Sequence, residues 1–482
     1  MLKSNNSKEE TMGLYDLIQK NKKLNFIDAK TKVVKTFADL HESLDIEDLR
    51  AVVFIYNDNQ LPAIETFLNF YQKKYTVALL NAGLHPAFKQ NLEKEYRPAY
   101  IFDPSRTEVE EYELKQVSAA ISVFKRKEIR LSPIHGDIKL LMSTSGTTGS
   151  PKFVKISDHN LVQNALSIME YMPIMEHDVV PLNVPINFVY GFSIFTTNCI
   201  KANTIVCTDR DVLQKEFWSD LAEYGFSTLS GVPYFYELLH RFGFFKKDTP
   251  SVRYFTHTGG MMNKELASII SDYTQIYDKQ FFAQYGQTEA SGRMAFLPPK
   301  DFQTKGTSIG FPVKNGRFEI DEDTKELIYY GPNVSGGYAN NIFDLQHYEH
   351  TDKLYTGDLA EKDEFGYYHI KGRIKRIIKL FGVRLNLDEV EVLLKNELGG
   401  QTFICISVQD KYLGVIHQDA ALLRETITQV IKEKLGLHAS SVKNYYFDQV
   451  PLTVNGKVDY PAINKHINEN ENSFAAAKTV LG

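Results

Sequence analysis

The segment Thr144-Ser145-Gly146-Thr147-Thr148-Gly149-Ser150-Pro151-Lys152 crowds hydroxyls and glycines ahead of a lysine. Glycine at 146 and 149 permits backbone conformations closed to residues with a Cβ, so successive N–H groups can converge on an anion. The hydroxyls add donors and Lys152 a full charge, which is chemistry for a polyphosphate. A Walker A loop needs Gly-Lys followed directly by Ser or Thr. Here Ser150 and Pro151 separate Gly149 from Lys152, and Gly456-Lys457 is followed by Val458. The HRD and DFG triplets of protein kinases are absent as well. Further along come Tyr285-Gly286-Gln287-Thr288-Glu289-Ala290, then Tyr355-Thr356-Gly357-Asp358-Leu359. Gly372-Arg373 leads to Lys379, Gly382 and Arg384, and Pro451-Leu452-Thr453-Val454-Asn455-Gly456-Lys457-Val458-Asp459 comes last. Singly, each has an ordinary reading: Tyr285 as a core aromatic, Asp358 as a turn former beside Gly357, Arg373 and Lys457 as solvated charges. Together they supply an aromatic platform, carboxylates and cations in one chain, as a nucleotide site requires.

The elements that must position these groups alternate. Ala51 to Tyr56 is an apolar run of buried-strand length, Leu61 to Tyr71 has helical spacing, and Tyr75 to Leu80 is apolar again. The rhythm recurs, with strands expected at Ile138–Met142, Val179–Val184 and Thr228–Leu229 and helices at Asn160–Met172 and Phe217–Tyr224. Such alternation predicts parallel sheets covered by helices, with ligands at strand ends. Phe188 to Phe195 reads as a strand or the lining of a buried cavity. From Arg317 the pattern changes to short strands and turns, including Glu326–Tyr330 and a hairpin at Asp363–Tyr367. After Gly372-Arg373, two helix patterns (Asp388–Glu397 and Ala421–Leu435) mark a small mobile C-terminal domain. The expected fold is therefore α/β. A large N-terminal domain, 1–374, holds two βα-layered subdomains and a β-rich one; an α+β domain, 375–482, follows.

At 482 residues the chain exceeds what one core serves. A net charge of −5 gives no general attraction to nucleic acid or anionic lipid. Cys199, Cys207 and Cys405 show no CxxC spacing, which suits packing in a reducing cytosol. The polar start MLKSNNSKEET and the lack of any stretch near the roughly 20 apolar residues of a membrane span predict a cytoplasmic protein.

These blocks, in this order, resemble the adenylate-forming superfamily: acyl-CoA synthetases, adenylation domains of nonribosomal peptide synthetases, and firefly luciferase. The resemblance runs from about Thr36 to about Asn464. It implies that Thr144, Ser145, Gly146, Thr147, Thr148, Gly149 and Lys152 hold the β- and γ-phosphates of ATP. Tyr285 and Gly286 would form the adenine platform, Thr288 and Glu289 would face the α-phosphate and Mg²⁺, and Asp358 with Arg373 would take the ribose. Lys457 is the implied catalytic lysine. It would neutralise charge on the α-phosphoryl oxygens, and loss of such stabilisation costs on the order of 100-fold or more in rate. Lys375 is the implied hinge.

The implied reaction is acid plus ATP giving acyl-AMP and pyrophosphate, then transfer to a thiol, with CoA as the leading acceptor. A separate carrier-protein phosphopantetheine or an amine is the alternative, and a non-catalytic nucleotide-binding paralogue is a third reading that Glu289 and Lys457 oppose. By the same resemblance Asn187, Phe188, Gly191, Thr258, Gly259 and Gly260 line the acid pocket. Phe188 stands where many relatives carry histidine. Residues 183–197 contain no acid to pair with a substrate amine, which disfavours an α-amino acid. Phe188, Tyr190, Phe192, Met261 and Met294 predict an apolar pocket and an uncharged aliphatic or aryl acid.

Overall fold

The apolar runs at Val52–Asn57 and Thr76–Asn81 are buried along nearly their whole length, as strands covered on both faces must be. In the computed structural model they pair in parallel, from Val52 opposite Thr76 to Asn57 opposite Asn81. The structure describes residues 12–20, 23–143, 152–380, 383–399, 401–408, 411–435, 437–453 and 458–467. By their contacts, the described residues of Met1–Gly146, Ser150–Phe318 and Tyr329–Leu354 form one unit. Those of Glu319–Ile328 and Tyr355–Gly482 form a second.

The first unit contains three sheets. The largest has eight strands, with Ile138–Ser143, Thr76–Asn81, Val52–Asn57 and Tyr100–Phe102 adjacent at its centre. A five-stranded sheet begins with Thr228–Gly231, Tyr254–His257 and Gln280–Tyr285 in parallel and ends with antiparallel Ala295–Leu297 and Phe311–Pro312. Four strands make the third, in the order Val179–Pro181, Thr204–Cys207, Asn25–Asp28 and Val34–Thr36. The helix Leu61–Gln72 covers the first sheet with residues such as Ile64, Phe67 and Phe70, all within one apolar core. Cys199, Cys207 and Cys405 are buried free thiols, which fits their packing role.

Two expectations are corrected. Of the two readings of Phe188–Phe195 the strand falls, because Val189 onward is the helix Val189–Ile200, buried almost all round, and without a polar face helix and strand look alike in sequence; Ser193 and Ile194 do line a cavity. The strand expected at Val179–Val184 ends at Pro181, because Pro181 and Pro185 lack the N–H that a ladder needs.

In the second unit, Lys353–Lys362 runs antiparallel to Tyr368–Arg373, and Asp363 closes the expected hairpin by accepting from the N–H groups of Phe365 and Tyr367. Three strands, Ile404–Val408, Tyr412–His417 and Val442–Tyr446, form a sheet. The helix Leu387–Glu397 buries Val390 and Leu394, which share a core with Ile427 and Ile431 of the helix Arg424–Leu435.

Candidate active site

The strand Gln280–Tyr285 ends at Tyr285, where open α/β sheets present ligand-binding groups. The chain then reverses, and the Met294 N–H donates back to the Tyr285 carbonyl at 2.9 Å. Gly286 is required for this: a Cβ there would stand 1.6 Å from the Gly292 carbonyl oxygen. Within the reversal, Thr288–Ala290 is a 3-10 turn and Ser291 adopts a left-handed conformation. Tyr285, Thr288 and Glu289 are all half-buried at this strand end. The Tyr285 ring meets Phe318 edge-on at 6.3 Å.

Glu289 is held by a residue that sequence reasoning missed. The Tyr338 hydroxyl donates to its carboxylate at 2.7 Å, and the Ser335 N–H donates to its carbonyl at 2.8 Å. The Lys152 ammonium lies 5.9 Å from the centroid of the same Tyr338 ring. One tyrosine thus links the loop's lysine to the Glu289 carboxylate. Burial, then the neighbouring Glu289, raises the Tyr338 phenol and keeps it a donor. The only sequence signal was an aromatic after the glycine pair Gly336-Gly337. Thr144, Ser145, Gly146, Thr147, Thr148 and Gly149 lie outside the described residues. Ser143 and Phe153, on the strands that flank them, are register partners.

Asparagine side chains fasten this turn to its surroundings. The helix Asp158–Tyr171 starts in a capping box, with Ser157 and Asn160 satisfying each other's N–H groups. Asn160 Nδ2 also donates to the carbonyls of Pro332 and Val334 at 2.9 and 2.8 Å. One turn on, Asn164 Nδ2 donates to the Arg293 carbonyl at 3.0 Å. Asn333 Nδ2 reaches the carbonyls of Ala290 and Arg293 at 2.7 and 2.9 Å. Asn333 is buried and was not foreseen, because its partners lie far away in sequence.

The residues expected around the acid divide. Asn187 is buried and accepts from Asn57 Nδ2 at 3.1 Å, so it ties two segments of scaffold together. A Cβ at Gly191 would lie 2.2 Å from the Pro185 carbonyl oxygen, so this glycine lets its helix pack on the preceding backbone. Phe188 is half-buried at the N-cap of that helix. Thr258 is buried after the strand Tyr254–His257, while Gly259 and Gly260 are exposed. The five-residue apolar pocket is not formed. Phe192 packs on Phe67 and Phe195 in the core, Met294 is fully buried, and Met261 is 63% exposed. Hydrophobicity in sequence does not distinguish a lining residue from a core residue. Tyr190 does reach polar groups: its hydroxyl donates to the Thr256 carbonyl at 2.6 Å and accepts from the Gly231 N–H at 3.2 Å. His257 is buried among the Tyr236 and Phe281 rings, and burial lowers it to about 4, so it is neutral near pH 7.

In the second unit Asp358 and Arg373 are directly opposite on paired strands. Arg373 Nε donates to the buried Asp358 carboxylate at 2.9 Å. The Thr356 hydroxyl donates to the Leu327 carbonyl at 2.6 Å and accepts from the Asp358 N–H at 3.1 Å. Lys375 falls in the 3-10 turn Ile374–Arg376. Lys457 and Gly382 lie outside the described residues.

These groups define what the first unit can hold. A half-buried carboxylate oriented by a phenol, with the threonine Thr288 next to it in the chain, is an oxygen donor set that fits Mg²⁺. Lys152, close by across Tyr338, suits phosphate oxygens.

A family model described as AMP-binding enzyme matches residues 50–339. The chain is 25% identical over 350 residues to a probable CoA ligase, CCL9, of Humulus lupulus, a match covering 68% of this chain and 66% of that protein. It is 24% identical over 363 residues to the D-alanine–D-alanyl carrier protein ligase of Listeria innocua, covering 68% and 70% of the two. These matches span about two thirds of the length of the curated relatives. Among solved structures, the O-succinylbenzoate CoA synthetase of Bacillus subtilis in complex with AMP superposes with a TM-score of 0.72 at 21% identity, covering 92% of this chain and 96% of that one. ATP-bound MatB from Rhodopseudomonas palustris gives a TM-score of 0.73 at 16% identity, covering 94% and 99%.

Proposed function

The chain belongs to the AMP-binding enzyme family, and from that premise we propose that it activates a carboxylic acid with ATP and passes the acyl group to CoA. The observation that carries this is the Lys152–Tyr338–Glu289 cluster at the end of the third parallel strand, which sets a phosphate-seeking cation beside a metal-seeking carboxylate.

In the first half-reaction a carboxylate oxygen of the acid attacks the α-phosphorus of ATP. The bond from that phosphorus to the α,β-bridging oxygen breaks, pyrophosphate leaves, and acyl-AMP remains. The residues Thr144–Gly149 and Lys152 hold the departing phosphates. Lys457 offsets charge on the α-phosphoryl oxygens, Tyr285 supports adenine, and Asp358, held by Arg373, accepts from the ribose hydroxyls. Mg²⁺ on Glu289, with Thr288, would supply charge neutralisation at the phosphates. In the second half-reaction the thiol sulfur attacks the acyl carbon and loses its proton, the carbon–oxygen bond to AMP breaks, and AMP leaves. Residues 375–482 are assigned as the domain that carries Lys457, with Lys375 at its hinge. No helix among the described residues is long and apolar enough to cross a membrane, and the reaction is proposed for the cytoplasm, where ATP and CoA are both at hand.

A second acceptor is favoured by one observation: the carrier protein ligase of Listeria innocua is matched about as well as the CoA ligase. Acid-dependent ATP–pyrophosphate exchange tests the first half-reaction, and its absence across a broad acid panel would overturn the proposal. Discharge of preformed acyl-AMP by CoA, compared with a phosphopantetheinylated carrier, tests the second; discharge only by the carrier would replace CoA as the acceptor.

A further inference from the structure

Arg293 lies four positions beyond Glu289 in the sequence and is only 3% exposed. Its Nε donates to Gln284 Oε1 at 2.7 Å, and its guanidinium carbon stands 4.3 Å from the centroid of the Tyr190 ring. Among the described residues, the groups that bear on its charge are the phenols of Tyr171 and Tyr190, with no carboxylate among them. Other buried or half-buried cations of the same unit have carboxylate or carbonyl partners: Lys89 meets Asp103 at 2.8 Å, Arg210 meets Asp220 at 2.7 Å, and Lys155 donates to the His347 carbonyl at 2.8 Å. A guanidinium stays charged in proteins, and a buried charge without an opposite partner is costly. Burial here works against the charge.

Arg293 also lines a small cavity. Ser193, Asn198, Ser230, Thr256 and Gln284 share its wall. These residues come from the helix Val189–Ile200 and the strands Thr228–Gly231, Tyr254–His257 and Gln280–Tyr285. The same helix follows Phe188, the second strand leads to Thr258, and the third ends at Tyr285, so the cavity is built from the elements that present the proposed site. Its free space, about 20 Å³, takes little more than one water-sized group, so only the very end of a ligand can enter it.

We propose that this cavity receives the far end of the acid substrate and that this end carries a second carboxylate, which pairs with Arg293. The inference rests on the adenylation reading and names the substrate class of that site: short dicarboxylic acids, activated at the carboxylate remote from Arg293. It replaces the uncharged acid expected from sequence. An uncharged tail would leave the guanidinium desolvated and unpaired, and sites built around a buried polar group reject ligands that lack its partner strongly.

The test is acid-dependent ATP–pyrophosphate exchange by the full-length protein with length-matched pairs: glutarate against pentanoate, adipate against hexanoate, and terephthalate against benzoate. The diacid of at least one pair should be favoured on the order of 100-fold in kcat/KM, and Arg293→Met should erase most of that ratio. Preference for the monoacid throughout would overturn the inference and leave adenylation standing. A failure of every acid to support exchange would overturn both. Equal losses for both members of a pair in Arg293→Met would assign the residue to packing and sink the proposal. The wild-type panel decides even if that variant does not fold.

Discussion

Tyr338 ties Glu289 to Lys152 through one hydroxyl and one ring. Tyr338→Phe keeps the ring for the lysine and removes the hydroxyl that orients the carboxylate. Loss of such a partner to a metal-binding group costs about 10- to 100-fold. Adenylation by Tyr338→Phe should therefore need more Mg²⁺ and fall by roughly that factor, which exchange rates titrated against Mg²⁺ will show; an unchanged Mg²⁺ dependence would remove Tyr338 from the site. His257 gives a prediction on stability. It is held at about 4 in the folded chain and titrates near 6.5 when unfolded, so the unfolded chain binds this proton first as pH falls. Stability should drop between about pH 6.5 and 4, by at most about 1.4 kcal/mol per unit from this group. His257→Phe should flatten that part of the denaturation-against-pH curve relative to wild type. The block Tyr285–Glu289 stood out in sequence because its consecutive residues resemble a family motif. Tyr338, Asn333 and Arg293 did not, since their roles come from partners brought near only by folding.

The turn after the strand Gln280–Tyr285 depends on backbone proximity as much as on side chains. Gly286→Ala would force a methyl to within 1.6 Å of the Gly292 oxygen, so the turn must open and displace Glu289. Adenylation should be lost with a lowered melting temperature; a variant with wild-type exchange would show that the turn tolerates a side chain. Buried strands such as Val52–Asn57 were readable from continuous apolar runs, and the helix Asp158–Tyr171 from its spacing. The helix Val189–Ile200 was not, because burial on every side removes the periodicity that marks a helix. The acid pocket suffered from the same ambiguity. Phe192 and Met294 are buried in the core, and Arg293, which we propose faces the far end of the acid, is a charge that the apolar reading passed over.

At the scale of the whole chain, the groups proposed for the first half-reaction are Glu289 and Lys152 of the first unit, Asp358 and Arg373 of the second, and Lys457, which lies outside the described residues. Lys457→Ala should collapse acid-dependent exchange while thiolysis of supplied acyl-AMP largely survives, because only the first half-reaction builds charge on the α-phosphoryl oxygens. Equal loss of both half-reactions would contradict that division of labour. The α/β class was legible from the alternation of apolar runs and helical spacing, and the order of the motif blocks made the chemistry legible before any contact was known. The central claim is that a carboxylate oxygen of the substrate attacks the α-phosphorus. It is tested most directly by turning over an acid labelled with ¹⁸O in its carboxylate, in the presence of CoA, and analysing the nucleotide product by mass spectrometry. The account predicts AMP carrying one ¹⁸O. Unlabelled AMP, or label in inorganic phosphate with ADP as the nucleotide product, would contradict it.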